Sequence, residues 1–239
     1  MNNERYLQTT PLLNFTHPSI VTLIRTRGWA KLSAEERIGV VYNFVRHEIH
    51  FGYNATDALR ASTVLAAGYG QCNTKAVLLM AMLRGCGIPC RLHGATVDKR
   101  MQFGIMRGFI ARSAPDEILH SWVEVWHGGR FVALEGVILD RDYLAGVLTS
   151  AAPSAGPYCG YAMAVSDTGH IAVDWTGTDT FIQKEAMVRD LGIFDNPDTF
   201  LRAYRQNLSP VKAAIYARIG TRCMNHRVAK IRAAGSRCP

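Results

Sequence analysis

The sequence lacks any apolar run long enough to cross a bilayer, which takes roughly 18 consecutive residues. Its opening residues, Met1 to Tyr6, contain no apolar segment and no small-residue cleavage site of a secretory signal. We therefore expect a cytoplasmic protein with no membrane span. The chain has 239 residues, 48% of them hydrophobic and 19% charged, which is the composition of an ordinary globular protein of one domain.

The spaced ligands of common metal sites are also missing. Six cysteines, at 72, 86, 90, 159, 223 and 238, include no Cys-x-x-Cys pair, and no calcium-binding loop is present. Cys86, Cys90 and His93 are near one another in sequence, but a predicted helix end, a turn and a strand separate them. We predict no metal and no cofactor, and without an export signal we expect reduced cysteines.

Acidic residues are absent from residues 200–239, which carry nine Lys or Arg. Such a tail suits nucleic acid, an anionic membrane or an acidic partner, but Tyr204 and Tyr216 alone offer rings for stacking on bases. Its apolar residues recur near helical spacing, which predicts packing of one helical face on the rest of the protein. They are Leu201, Tyr204, Leu208, Val211, Ile215 and Ile219. Nucleic-acid binding is therefore the least favoured function.

Three helices are predicted in the first part of the chain. Ser33 and Glu36 form a capping box before a helix over 34–49. Asp57 can cap a short second helix through Leu65, which the glycines at 68 and 70 end. A third helix begins at Gln71 or Cys72 and runs to Arg84; its middle is apolar on every side, as in a helix surrounded by protein.

Strands are predicted after Pro89, over 90–98, 104–111, 119–127 and 130–138. Gly128 and Gly129 suit the two-residue turn of a hairpin between the last two. Residues 158–166 and 169–175 are compatible with a second hairpin, and from about 184 the pattern is helical to the end.

Cys72 stands at the first turn of the buried helix, after a Gly-x-Gly turn that lets a substrate approach the backbone closely. Free N–H groups and the positive end of the helix dipole favour a thiolate there. A cysteine nucleophile also needs a base and a group that orients the base.

The predicted hairpin supplies both groups. With Gly128 and Gly129 as the turn, Trp122 lies opposite Glu135, and His120 and Glu135 are diagonal neighbours on one face. Asp140 has the wrong parity and faces away, while Glu124 lies roughly 13 Å along the strand from His120. The pattern favours Glu135 as the orienting carboxylate.

Four sequence blocks resemble the transglutaminase-like superfamily, in the same order along the chain. They are Ala61-Ser62-Thr63-Val64-Leu65 with Gly70-Gln71-Cys72, then Leu83 to Pro89, His120 to Val125, and Phe131 to Glu135. The resemblance implies an α+β papain/transglutaminase-like core in which a buried helix, headed by the catalytic cysteine, packs on an antiparallel sheet. It implies Cys72 as nucleophile, His120 as base and Glu135 in the place of the family's aspartate. Gln71 also departs from the family, which usually has aspartate before the cysteine.

The implied activity is cysteine-dependent acyl transfer, as an amide or thioester hydrolase or an acyltransferase, on a small-molecule, peptide or carrier-bound acyl substrate. Gln71, Tyr53 and Asn54 are candidates for the second oxyanion donor beside the Cys72 N–H, and Tyr69 and Trp122 for substrate contacts. We expect residues 1–183 to form the catalytic domain and 184–239 a basic helical extension packed on it. The alternatives are a binding or assembly module on the same fold and, less favoured, a nucleic-acid-binding protein.

Overall fold

A computed structural model describes residues 3–153, 155–206 and 208–237. The fold is α+β. The helices are α1 (Pro18–Thr26), α2 (Ala34–His47), α3 (Ala61–Ala67), α4 (Cys72–Gly85), α5 (Gly108–Ser113), α6 (Arg141–Ser150), α7 (Pro197–Ala203), α8 (Pro210–Ile215) and α9 (Thr221–Gly235). The strands are β1 (His50–Phe51), β2 (Tyr69–Gly70), β3 (Cys90–Asp98), β4 (Glu117–His127), β5 (Arg130–Ala133), β6 (Tyr158–Gly160), β7 (Met163–Val165) and β8 (Met187–Phe194).

Helix α4 lies at the centre of the core, as its sequence predicts. It packs against α1, α2 and α3 on one side and against strands β3 and β4 on the other. Every residue from Asn73 to Arg84 is buried. The predicted capping box of α2 is present, since Ser33 and Glu36 each accept a hydrogen bond from the other's backbone N–H.

The main sheet is antiparallel, in the order β5-β4-β3-β8. Strands β3 and β4 pair without a break from Cys90 opposite Val125 to Asp98 opposite Glu117. Gly128 and Gly129 both have positive φ and form the predicted turn between β4 and β5. Val123, Val125, Val132 and Leu134 enter the core beside α4, so the apolar face of the hairpin is as predicted.

The predicted second strand of this hairpin is too long. The observed strand β5 ends at Ala133, and Glu135–Ile138 form a turn of 3₁₀ helix. The Glu135 N–H donates to the Thr180 carbonyl and the Gly136 N–H to the Thr180 hydroxyl. A segment far along the chain therefore turns the backbone away from the strand direction.

Three other predicted elements are corrected. The second helix begins at Ala61, after Arg60, and Asp57 does not cap it. Residues 104–111 form no strand, because Gly104 and Gly108 have positive φ and helix α5 begins at Gly108. The second hairpin joins β6 and β7 through Tyr161 and Ala162, and 169–175 is not a strand.

The C-terminal region is only partly helical. Residues 187–194 are strand β8 at the edge of the main sheet, so the prediction of helix from 184 onward is wrong there. Helix α9 packs on α6, and Arg232 forms a salt bridge with Asp140. The prediction that the apolar tail residues pack inward is wrong for Val211 and Ile219, which are 69% and 57% exposed.

No helix in the described part of the chain is both long enough and apolar enough to span a membrane.

Candidate active site

Cys72 is the first residue of α4 and is half-buried. The next residue, Asn73, joins this helix to β4: its Nδ2 donates to the Leu119 carbonyl at 3.2 Å, and its Oδ1 accepts from the Ser121 hydroxyl at 2.8 Å. Leu119 and Ser121 flank His120 in sequence. One buried amide therefore fixes the start of the cysteine helix against the strand at the position of the histidine.

His120 and Glu135 form a buried pair. Nε2 of His120 lies 2.7 Å from Oε1 of Glu135, and each residue is 1% exposed. The other carboxylate oxygen, Oε2, accepts the backbone N–H groups of Ile182 and Gln183 at 2.8 and 3.0 Å. Glu135 is therefore a fully engaged acceptor whose position fixes the ring of His120.

The Cys72 thiol is close enough to His120 to affect its titration. Burial lowers the pKa of His120, but the interactions with Cys72 and then with Glu135 outweigh burial and raise that pKa to about 10. Nδ1 of His120 is buried and has no hydrogen-bond partner among the described residues, so this nitrogen is available to the thiol. Hydrogen bonds between catalytic groups are often long or poorly aligned without substrate and tighten when it binds.

Trp122 supports the histidine from the side of the sheet. Its ring lies 5.6 Å from that of His120 and stacks at 4.2 Å on His93. His93 in turn contacts Glu124 and Asp190 through its two ring nitrogens, at 2.8 Å each. Trp122 is buried in a small cluster with Ala95 and Ala133 and does not line the cavity at Cys72, so the structure does not place it as a substrate wall.

Two of the predicted oxyanion donors already have partners. Oε1 of Gln71 accepts the Asn54 N–H at 2.7 Å and its Nε2 donates to Asp57 at 3.0 Å. Oδ1 of Asn54 accepts the Thr74 hydroxyl at 2.7 Å, and its Nδ2 donates to the Tyr69 carbonyl at 3.5 Å. These amides hold the loop before α4 in place.

Tyr53 and Tyr69 differ in position. Tyr53 is buried, lines the cavity at Cys72, and donates its hydroxyl to Oε1 of Gln102. Tyr69 is 37% exposed and lies outside the lining of this cavity. Its carbonyl, rather than its ring, contributes to the site through Asn54.

Gln102 and the role of Asp57 have no signal in the sequence. Gln102 is buried and lines the cavity, and its Nε2 makes no hydrogen bond within the described residues. It lies in a short 3₁₀ segment, Lys99–Gln102, without a motif that marks it. Asp57, predicted as a helix cap, instead accepts a hydrogen bond from Nε2 of Gln71 and lines the cavity.

The other cysteines occupy different environments. Burial raises the pKa of the Cys86 and Cys90 thiols to about 11, while Cys159 and Cys223 are exposed; Cys238 lies outside the described residues. No group of three or more potential metal ligands occurs among the residues that the structure describes.

A cavity of about 510 Å³ opens at Cys72. Part of its lining comes from α5 and the residues after it, and another part from the C-terminal segment between Leu201 and Met224. The start of α4 contributes to the lining together with Tyr53, Asn54 and Gln102.

A cysteine at the head of a buried helix, packed on an antiparallel sheet that carries histidine, is the arrangement of the papain-like fold class. Residues 25–136 match the model of the transglutaminase-like superfamily. This matched segment is nearly half of the chain's length and is transglutaminase-like.

Among solved structures, a protein assigned as a cysteine protease from Cytophaga hutchinsonii has a TM-score of 0.42 and 13% identity, over 55% of this chain and 40% of that chain. Red sea bream transglutaminase has a TM-score of 0.32 and 14% identity, over 99% of this chain and 41% of that chain. The chain thus spans about two fifths of the length of either structure. No curated protein matches the sequence significantly.

Proposed function

We propose that this protein is a cysteine-dependent acyl-transfer enzyme that works through an acyl-Cys72 intermediate. The observation that carries the proposal is the buried His120, held by Glu135 at 2.7 Å through Nε2 while its Nδ1 has no partner among the described residues and the nearby Cys72 thiol raises its pKa. The raised pKa of His120 favours an imidazolium at neutral pH, which is the partner that a thiolate requires.

In the first step, the Cys72 thiolate attacks the carbonyl carbon of an amide, ester or thioester. The carbonyl oxygen becomes an oxyanion, and His120 then gives its proton to the leaving amine, alcohol or thiol as the tetrahedral intermediate collapses. In the second step, neutral His120 takes a proton from water or an amine, which attacks the acyl-Cys72 and regenerates the thiolate. Glu135 remains an acceptor throughout and holds the ring orientation.

The oxyanion requires donors aimed at the carbonyl oxygen. The Cys72 backbone N–H at the helix start is one. We assign the second to Nε2 of Gln102, because this amide lines the cavity while its Oε1 is fixed by Tyr53 and its Nε2 is unpaired in the described part of the chain. Gln71 and Asn54 are less suited because their amides are engaged elsewhere.

We place the chemistry in residues 1–183. Residues 184–239 complete the sheet through β8 and form one wall of the cavity. The substrate is an acyl group on a small molecule, peptide or carrier.

The test is intact mass spectrometry of the protein after incubation with acetyl and octanoyl thioesters. We expect a single acyl adduct on the wild type and none on Cys72→Ala, with peptide mapping assigning it to Cys72. His120→Ala should slow adduct formation by on the order of 10³-fold or more. An adduct that persists in Cys72→Ala, or maps to Cys223, contradicts the proposal, as does a wild type that forms none and releases no thiol.

A further inference from the structure

The cavity at Cys72 is much larger than a scissile bond needs. Its volume of about 510 Å³ lies in the range of sites that enclose a whole organic ligand, roughly 300–1,000 Å³. The size therefore concerns the body of the substrate rather than its reacting carbonyl.

Much of the cavity lining is apolar. Phe109, Ile110 and Ile118 come from α5 and the residues after it, and Leu201, Ile215 and Tyr216 come from the C-terminal segment. Phe109 and Ile215 are 61% and 37% exposed, so part of this apolar lining is open to solvent. Such walls favour a ligand with a large apolar part.

Two of the uncharged polar side chains in the lining are already hydrogen-bonded to the backbone. Gln206 accepts the Leu119 N–H and donates to the Glu117 carbonyl, at 2.8 and 3.1 Å. Ser113 donates to the Phe109 carbonyl at 2.8 Å. These two groups are therefore not free to pair with a peptide main chain, whereas an alkyl chain needs no such partner.

Two cationic side chains at the cavity have no counter-ion among the described residues. Of the charged residues in its described lining, Asp57 is hydrogen-bonded to Gln71 at the Cys72 end. Arg205 and Lys212 are exposed, and neither forms a salt bridge within the described residues. Residues 200–239 contain no acidic residue that could neutralise them. These two side chains are suited to an anionic group on a ligand.

We propose that the acyl donor is an anionic amphiphile: a medium- or long-chain acyl ester or thioester whose alkyl chain fills the cavity, with a carboxylate or phosphate bound by Arg205 and Lys212. The inference rests on the proposed acyl transfer at Cys72. The thiolate forms the new thioester with the acyl carbon, and the departing thiol or alcohol takes the proton from His120. The anion belongs either to the leaving group or to the far end of the acyl chain.

The first experiment measures turnover of straight-chain acyl thioesters of 2, 4, 8 and 12 carbons on a neutral thiol. Burial of a methylene is worth about 0.8 kcal/mol, so we expect kcat/KM to rise by up to about fourfold per methylene until the cavity is filled. Ile110→Trp, which narrows the cavity, should flatten this chain-length dependence, so that kcat/KM for the 8- and 12-carbon donors approaches that for the acetyl donor. Arg112→Trp, on the same helix but outside the lining, is the matched control.

The second experiment locates the anion. The octanoyl group is presented on the neutral thiol and on a thiol that carries a phosphate, and a C8 dicarboxylate is presented as its mono-thioester on the neutral thiol. Arg205→Glu and Lys212→Glu should each raise KM about tenfold more for one anionic donor than for the neutral octanoyl donor. That anionic donor is the phosphate thiol or the dicarboxylate, whichever places its anion at these two side chains. Arg202→Glu, exposed on α7 and outside the lining, is the control.

A binding measurement separates this inference from the proposed chemistry. Cys72→Ala protein, which cannot form an acyl enzyme, should bind the fluorescent fatty acid parinarate saturably, and the added Ile110→Trp change should abolish that binding. Flat chain-length dependence with intact acetyl transfer overturns the amphiphile while acyl transfer stands. Saturable parinarate binding without any acylation of the wild type supports the ligand class and contradicts the enzyme. No loss with either charge-reversal variant overturns the anion site.

Discussion

Nε2 of His120 lies 2.7 Å from Oε1 of Glu135, although the two residues belong to different kinds of secondary-structure element. His120 is on strand β4, while Glu135 begins the 3₁₀ turn that follows β5. The carboxylate therefore reaches the ring from a turn held by Thr180, and its second oxygen is held by the N–H groups of Ile182 and Gln183. This arrangement makes the orienting role of Glu135 testable apart from its structural role.

Glu135→Gln should lower kcat by on the order of 10²–10⁴-fold with little change in melting temperature. The new carbonyl can still accept the Ile182 and Gln183 N–H groups, but the amide NH₂ then faces Nε2 of His120. That nitrogen must accept, so the ring proton moves to Nδ1 on the cysteine side. Steady-state kinetics with calorimetry measures both effects. Glu124→Gln is the control, because Glu124 lies on the strand that carries His120 but away from its ring. A Glu135→Gln protein that keeps more than a tenth of the wild-type kcat contradicts the orienting role.

Native-state alkylation should identify Cys72 as the reactive thiol. At pH 7 iodoacetamide should modify Cys72 before the exposed Cys159 and Cys223, because His120 favours the thiolate. Cys86 and Cys90 should remain unmodified, since burial raises their pKa to about 11. In His120→Ala the rate at Cys72 should fall to that of Cys223. Timed peptide mapping gives the order, and earlier labelling of Cys159 or Cys223 contradicts the assignment.

Lys75→Met should stabilise the protein more at pH 6 than at pH 9.5. Burial lowers the pKa of Lys75 to about 7, below its ordinary value of about 10.4 in an unfolded chain. The unfolded state therefore binds this proton more tightly: the penalty on folding is full below about pH 7 and disappears as pH rises toward 10.4. The substitution removes a penalty that exists mainly at the lower pH.

Thermal unfolding of Lys75→Met and wild type at the two pH values measures this difference. Lys75 also donates to the carbonyls of Arg46 and Ile138, at 3.3 and 3.1 Å, and the loss of these bonds lowers stability in part independently of pH. Lys230→Met, at an exposed site on α9, should show no such pH dependence. Equal shifts at both pH values for Lys75→Met rule out the lowered pKa.

Gly146→Ala should destabilise the protein by about 2–3 kcal/mol through overpacking. A Cβ at Gly146 would overlap the Ile231 carbonyl oxygen, where α6 crosses α9 backbone to backbone. Urea denaturation measures the loss. Ser150→Ala, exposed at the end of the same helix, should be nearly neutral; a Gly146→Ala protein as stable as this control shows that the two helices can separate without loss.

Elements with local signals are the ones that the sequence predicts well. The capping box places α2, the glycines around Cys72 and Cys86 bound α4, and the Gly128-Gly129 turn sets the β4/β5 register. This register also brings His120 close to Glu135. The predicted reason, that both lie on facing strands, is incomplete because Glu135 lies in the 3₁₀ turn after β5. The turn at Glu135 depends on Thr180, whose approach has no local signal.

The cavity could not be predicted for the same reason. Its walls come from α5, where the sequence predicts a strand over 104–111, and from a tail whose path depends on β8 pairing with β3. Gln102 has no motif, and its free Nε2 becomes apparent only when the partner of its Oε1 is known.

The hydrogen bonds of Asn73 bear on how the substrate selectivity of this fold can change. Because the Asn73 amide joins the cysteine helix to the strand on both sides of His120, the backbone spacing between nucleophile and base is held directly by α4 and β4. Side chains of α5 and of the segment from Leu201 to Tyr216 form the outer walls, and among them Gln206 also bonds to the backbone of β4 and would have to be retained. Selectivity can therefore diverge, in evolution or in a directed library, through exchange of these two segments while the reaction chemistry is inherited unchanged.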